Sequence, residues 1–205
     1  MDSVRYYVAL VLVTAFPVTF SIWFSIHPLI RYWRKLGAGR TYAIHFTAMG
    51  VIAAGLFVDR RKLLSVEFGT NPILIGLAVP IFVFAFAVAL RLKKEIGWKV
   101  LTGLPEVVPQ KYNTRLVTTG VYSRVRHPRY IEALSAVLAY ALFTNYLVVY
   151  VIFLLFLVGF PLIVRLEEKE LRQRFGEEYE EYCRRVPRFL PRFQGRQFKP
   201  ALMSL

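Results

Sequence analysis

Apolar runs of near membrane-spanning length recur along most of this chain, and that recurrence limits its fold more than any other feature. The hydrocarbon core of a bilayer is about 30 Å thick, so a helix needs roughly 20 apolar residues to cross it. Five segments read this way: Val4–Ile26, which closes near His27-Pro28, then Tyr42–Val58, Pro72–Leu92, Tyr130–Phe143 and Leu147–Val164. In lipid a backbone must satisfy its own polar groups, which favours helices. The expected fold is therefore all-α: an integral membrane protein with about five transmembrane helices and a cytoplasmic helical tail. A chain of this length has room for a single domain. Three N-terminal membrane helices would occupy residues 1–92, and a connector, a helix hairpin and the tail residues 93–205.

The fourth segment is too short to cross ~30 Å at ~1.5 Å per residue. It must start in the headgroup region or be shielded by neighbouring protein. Thr144-Asn145-Tyr146 separates it from the fifth, so the two form a tight antiparallel hairpin.

The formal net charge of +14 would suggest nucleic acid in a soluble protein. Here the basic residues lie between and after the apolar runs, where anionic headgroups and the positive-inside rule place them. No aromatic-and-basic stacking module accompanies them. The expected partner is thus the lipid bilayer, not nucleic acid. Nine basic residues lie in Arg91–Arg129, none in the Asn145 turn and ten after Val164. This asymmetry predicts a cytoplasmic connector and C-terminal tail, with the N-terminus outside. Met1-Asp2-Ser3 lacks a basic n-region, which predicts a retained first helix rather than a signal peptide. Cys183 is the single cysteine, so no intrachain disulfide forms. In the tail, Leu171, Phe175, Tyr179, Tyr182 and Val186 follow a helical period, with Gly176 as a bend and Pro187 as the end.

Chemistry-bearing residues concentrate in three places. Glu132 is the acidic side chain inside an apolar segment, where a carboxylate faces a cavity or a partner, or else snorkels to the interface. Gly120–Tyr130 enters the fourth helix with Tyr122, Arg126, His127, Pro128, Arg129 and Tyr130. Pro128 suits a first helical turn, and the positive end of that helix favours an anionic group. A basic collar gripping lipid headgroups is the competing reading. Glu167-Glu168 closes the fifth helix. Glu167 is in line with Leu171, Phe175 and Tyr179 and is expected to point into the bundle, towards Arg126–Tyr130. Glu168, about 100° away, is expected to be solvated. A structural salt bridge is the alternative role for Glu167. His27, His45 and His127 show no metal-ligand spacing, and no metal site is expected. Phosphate-binding and nucleophile-elbow motifs are missing from the sequence.

Taken in order, Leu116-Val-Thr-Thr-Gly-Val-Tyr122, Arg126-His-Pro-Arg-Tyr130, Glu167-Glu168, Phe175-Gly-Glu-Glu-Tyr179, Tyr182 and Val186-Pro187 resemble isoprenylcysteine carboxyl methyltransferases. The resemblance covers about Arg91 to Pro191. Phospholipid N-methyltransferases and sterol reductases share the Arg-His-Pro-x-Tyr element. The resemblance implies a membrane-embedded enzyme that transfers a methyl group from S-adenosylmethionine to a lipophilic acceptor, such as the carboxylate of a prenylated cysteine. The cofactor contacts it implies fall on Gln110, Leu116, Val117, Tyr122, His127, Pro128, Arg129, Tyr130 and Glu167; no catalytic residue is assigned. Two positions depart from the family. Its substrate-side arginine falls on Ile163, with Arg165 close by on a different face, and Thr114 replaces a histidine. Arg165 and Glu132 are the candidate substrate contacts, and the acceptor need not be a prenylated cysteine. Methyl transfer from a sulfonium needs alignment and a dry site more than a strong base. The remaining alternatives are an NADPH-dependent sterol-type reductase, disfavoured by Arg129-Tyr130-Ile131-Glu132, and a non-enzymatic protein that binds lipid headgroups.

Overall fold

The structure, a computed structural model, describes residues 1–26, 28–101, 107 and 115–191. Among the described residues all regular elements are helical: α1 (Asp2–Ile26), α2 (Ile30–Leu36), α3 (Ala38–Val58), α4 (Arg60–Leu63), α5 (Pro72–Leu101), a 3₁₀ turn (Gly120–Ser123), α6 (Pro128–Thr144), α7 (Leu147–Phe175) and α8 (Glu177–Arg185). The five expected segments coincide with α1, α3, α5, α6 and α7. Among the described residues, three helices are long and apolar enough to cross a membrane: α3, α5 as far as Gly97, and α7. Large apolar side chains line their outer faces, including Phe46 and Val51 on α3, Ile73 and Leu77 on α5, and Leu155 and Val158 on α7. Apolar surface on this scale is stable against lipid and not against water. The protein is an integral membrane protein.

The short α6 has the opposite character. At 17 residues it reaches about 26 Å, and none of its residues is exposed. It packs on α5, α7 and α1, around a core that includes Ala9, Val13, Val137, Ala141, Val149, Ile152 and Phe156. Shielding by protein, the second of the two options its length allowed, is what the fold provides.

The two ends of the bundle differ in construction. At one end Asn145, in the left-handed conformation (φ 55°), turns α6 into α7. Backbone bonds Phe68 N–H to Asn145 C=O (3.0 Å) and Leu147 N–H to Val66 C=O (3.1 Å) dock the loop before α5 on this turn. Arg5, fully buried, donates twice to the Thr144 carbonyl (3.0 and 2.8 Å) and also to Asp2 and Thr70. Glu67 pairs with it at 2.9 Å. A cation on the last carbonyls of α6 complements the negative end of that helix. At the other end lie α2, the end of α5, the 3₁₀ turn, the extension of α7 past Val164, and α8. Thus the first turn of α1 and the hairpin share one end while the connector and tail share the other.

The charge asymmetry predicts that the connector and tail end faces the cytoplasm, and labelling tests that prediction. With Cys183 removed, a cysteine at the exposed Ser65 should react with an impermeant maleimide from the outside, and one at Ser123 from the cytoplasmic side. Labelling of Ser65→Cys from the cytoplasm would invert the assignment.

Candidate functional site

The site begins where α5 ends. Gly97 breaks that helix with φ 70° and ψ 168°, two residues after Glu95. Both carboxylate oxygens of Glu95 accept from Val121 N–H at 3.1 Å. That bond anchors the Gly120–Ser123 turn to α5. Gly120 itself has φ +60°, and a Cβ there would lie 2.1 Å from a Glu95 oxygen. The positive φ favours glycine at this position, and any side chain there would push the Glu95 carboxylate from its place. Tyr122 follows, and its carbonyl accepts from Tyr182 Oη at 2.6 Å. The tail helix is thereby fastened to the turn.

After α8 the chain runs back across the start of α6. Arg126 N–H donates to Pro187 C=O (2.9 Å) and His127 N–H to Arg188 C=O (3.1 Å). The Arg126 guanidinium also donates to the Cys183 and Val186 carbonyls, each at 2.8 Å. Beneath this strap, Tyr179, Tyr182 and Val186 pack with Leu171, Phe175, Cys183 and Leu116. This is the stripe that the helical period predicts. Gly176, with φ +54°, separates α7 from α8, as its place in the sequence suggests.

The strap covers Glu168. Its side chain is fully buried, 2.9 Å from Arg126, 3.1 Å from His127 Nε2 and 3.7 Å from Arg172. Arg188 reaches it with two nitrogens, Nε at 2.9 Å and a terminal one. The expectation of a solvated Glu168 is therefore overturned, and the reason lies in the tail. Arg126 and Arg188 arrive from outside α7 and close the face on which Glu168 stands. Glu167 is the more open of the two, with 27% of its side chain exposed. It accepts from Tyr130 Oη at 2.7 Å and lies 3.6 Å from His127 Nδ1. His127 thus sits between two carboxylates, Nε2 to one and Nδ1 to the other. Burial pushes its pKa down, but hydrogen bonds and charge from Glu167 and Glu168 outweigh burial and raise it. The imidazolium, with a proton on each nitrogen, suits that position. Burial, with the Glu167 carboxylate nearby, raises the Tyr122 phenol.

Of the residues singled out in the sequence, Tyr122, His127, Tyr130 and Glu167 converge here, with Pro128 at the first position of α6. Arg129 is half-buried and acts electrostatically on both Tyr122 and Glu132. Leu116 and Val117 are half-buried on the connector. Glu132 is half-buried in α6. Arg165 is exposed and about 200° round α7 from Glu167, so the fold does not bring it to this cluster. Ile163 is buried at 1% exposure. Gln110 and Thr114 lie outside the described residues. Glu95 and Arg188 were not singled out by sequence reasoning. Only the Val186-Pro187 stop hinted that the next residue turns back.

Residues 73–178 match the family model described as phospholipid methyltransferase. Among curated proteins, the chain is 41% identical over 81 residues to the cobalt-zinc-cadmium resistance protein CzcN of Cupriavidus metallidurans, covering 39% of this chain and 37% of that protein. It is 36% identical over 81 residues to the nickel-cobalt-cadmium resistance protein NccN of Alcaligenes xylosoxydans xylosoxydans, covering 39% and 38%. It is 34% identical over 89 residues to the delta(14)-sterol reductase of Mus musculus, covering 42% of this chain and 21% of the reductase. The matched stretch thus spans under two fifths of each of these relatives. No solved structure matches the chain.

Proposed function

The chain belongs to the phospholipid methyltransferase family, and from that premise we propose that it transfers a methyl group from S-adenosylmethionine to a lipophilic acceptor. The observation that carries the proposal is Glu167: a carboxylate left partly open and held by Tyr130, beside a tail-covered wall of buried groups. A cofactor with an ammonium, a carboxylate and an adenine fits this donor set. Glu167, held in place by His127 and Tyr130, would take the ammonium, the positive end of α6 the carboxylate, and Leu116, Val117 and Tyr122 would pack on the adenine. Gln110, Pro128 and Arg129 complete the proposed contacts.

When bound, the cofactor supplies an activated methyl on a sulfonium, which passes to the acceptor's nucleophilic atom as the sulfonium leaves as a neutral thioether. The chain's own residues do the rest. Glu95 and Gly120 hold Tyr122 in place, the strap Val186–Arg188 keeps water from the back of the cluster, and His127 links the two glutamates. This is positioning and exclusion of water rather than acid–base work. The acceptor is proposed as lipophilic, entering from the bilayer past Glu132. An isoprenylcysteine acceptor finds less support, because the position of that family's arginine is the buried Ile163 and Arg165 points elsewhere. The partial match to a sterol reductase keeps NADPH as the second candidate ligand.

Calorimetry of the purified protein tests these readings together. Wild type should bind S-adenosylhomocysteine with micromolar affinity and NADPH not at all. His127→Ala should weaken binding at least tenfold, about 1.4 kcal/mol, while eluting as a folded species on size exclusion. Preference for NADPH would transfer the site to the reductase reading. Binding of neither would leave the headgroup-binding alternative.

A further inference from the structure

We propose that the groove between α2 and the extension of α7 is a binding site for the phosphate headgroup of an anionic glycerophospholipid, separate from the methyl-transfer site. The groove encloses about 480 Å³ and is lined by Leu29, Arg31, Tyr32, Arg34, Leu166 and Lys169, among others. On α7 its residues are Leu166, Lys169, Glu170 and Gln173, spaced i, i+3, i+4 and i+7, which is one helical face. Glu168 and its arginines occupy another face. The two sites therefore share a helix without sharing side chains.

Three features select the occupant. First, depth: the apolar run of α7 ends at Val164, so Leu166–Gln173 stands at the level of the headgroups. Second, charge: Arg31, Arg34 and Lys169 face a single acid, Glu170. Arg34 pairs with Glu170, which ties α2 to α7 and leaves Arg31 and Lys169 as the excess positive charge of the lining. Third, amphipathicity: Leu29 is 51% exposed, Tyr32 53% and Leu166 39%, beside those cations. A soluble anion would cover the cations and leave the apolar groups wet. A phospholipid covers both, with its phosphate on Arg31 and Lys169 and its glycerol and first methylenes on Leu29 and Leu166.

The full-length protein, purified in mild detergent, would be exchanged into phosphatidylcholine with an equal share of phosphatidylglycerol, and the lipid co-eluting with it measured by mass spectrometry. Wild type should retain phosphatidylglycerol over phosphatidylcholine. The double variant Arg31→Gln/Lys169→Gln should lose about tenfold of that preference, and Lys35→Gln, on α2 but outside the groove, should keep it. Unchanged preference in the double variant, or equal retention of both lipids by wild type, would overturn the proposal. Equilibrium dialysis against radiolabelled glycerol 3-phosphate separates lipid from soluble phosphate. Saturable binding at micromolar levels that disappears in the double variant would overturn the lipid assignment in favour of a soluble phosphate ester. Absence of binding supports the lipid. None of these readouts uses S-adenosylhomocysteine, so the proposal stands or falls independently of the methyltransferase reading.

Discussion

Glu168→Gln should cost the protein about 3 kcal/mol of stability, the largest loss expected from a single polar substitution in the tail. Its carboxylate, at 0% exposure, meets Arg126 at 9%, His127 at 3%, Arg188 at 43% and Arg172 at 41%. Breaking a buried ion pair by removing one partner typically costs ~3–5 kcal/mol, because the remaining charge stays desolvated. Arg188 and Arg172 can relax into solvent, whereas Arg126 and His127 cannot, which puts the estimate at the lower end. The measurement is reversible chemical unfolding in mild detergent, with the exposed Glu177→Gln as the comparison. A loss below about 1 kcal/mol would show that the strap holds without its anion. The pH profile gives a second readout. His127 has its pKa raised in the folded protein above the ordinary value near 6.5. The stability it contributes is fully present below that ordinary value and is lost as pH rises through the raised one. With Gln at 168 the raised value should fall and this loss should shrink.

Glu167→Gln should do the reverse, leaving stability within about 1 kcal/mol of wild type while weakening S-adenosylhomocysteine binding at least thirtyfold. Glu167 is already partly solvated, its replacement keeps a neutral acceptor for Tyr130 and for His127 Nδ1, and Glu168 still faces His127 Nε2, so folding loses little. The ammonium of the proposed cofactor would lose a charge-assisted hydrogen bond worth ~1.5–3 kcal/mol; the upper part of that range corresponds to thirtyfold and more. Titration and unfolding on the same preparations distinguish the glutamates. A ligand-binding role predicts a loss of affinity without a loss of stability. A merely structural role predicts both together. Full binding by a folded Glu167→Gln would remove this residue from the cofactor site.

The assignment of these two glutamates marks the reach of sequence reasoning. The helical period of Leu171, Phe175, Tyr179, Tyr182 and Val186 correctly identifies a buried stripe, and Glu167 lies in line with it. Periodicity says which residues share a face of one helix. It does not say that the chain will reverse at Gly176 and return at Pro187-Arg188 to cover the neighbouring face as well. Arg5 illustrates the same limit at the opposite end. It is one basic residue near the N-terminus, with no local signal that it will be buried against the Thr144 carbonyl 139 residues away. Glu95 belongs with them, since its partner is the backbone N–H of Val121 across the connector.

Local chemistry was enough for the helical class, for the positions of the five apolar helices and for the hairpin at Asn145. Each of these follows from interactions between residues near in sequence, or from the need of a long apolar run for lipid. The tertiary structure alone decided that Glu168, not Glu167, is the buried anion, that α6 packs against α1, α5 and α7 with no fully exposed residue, and that Arg5 and Arg188 are clamps. Burial of a charge depends on what other segments place over it, and the free energy that makes it tolerable comes from partners brought together only when the chain is folded.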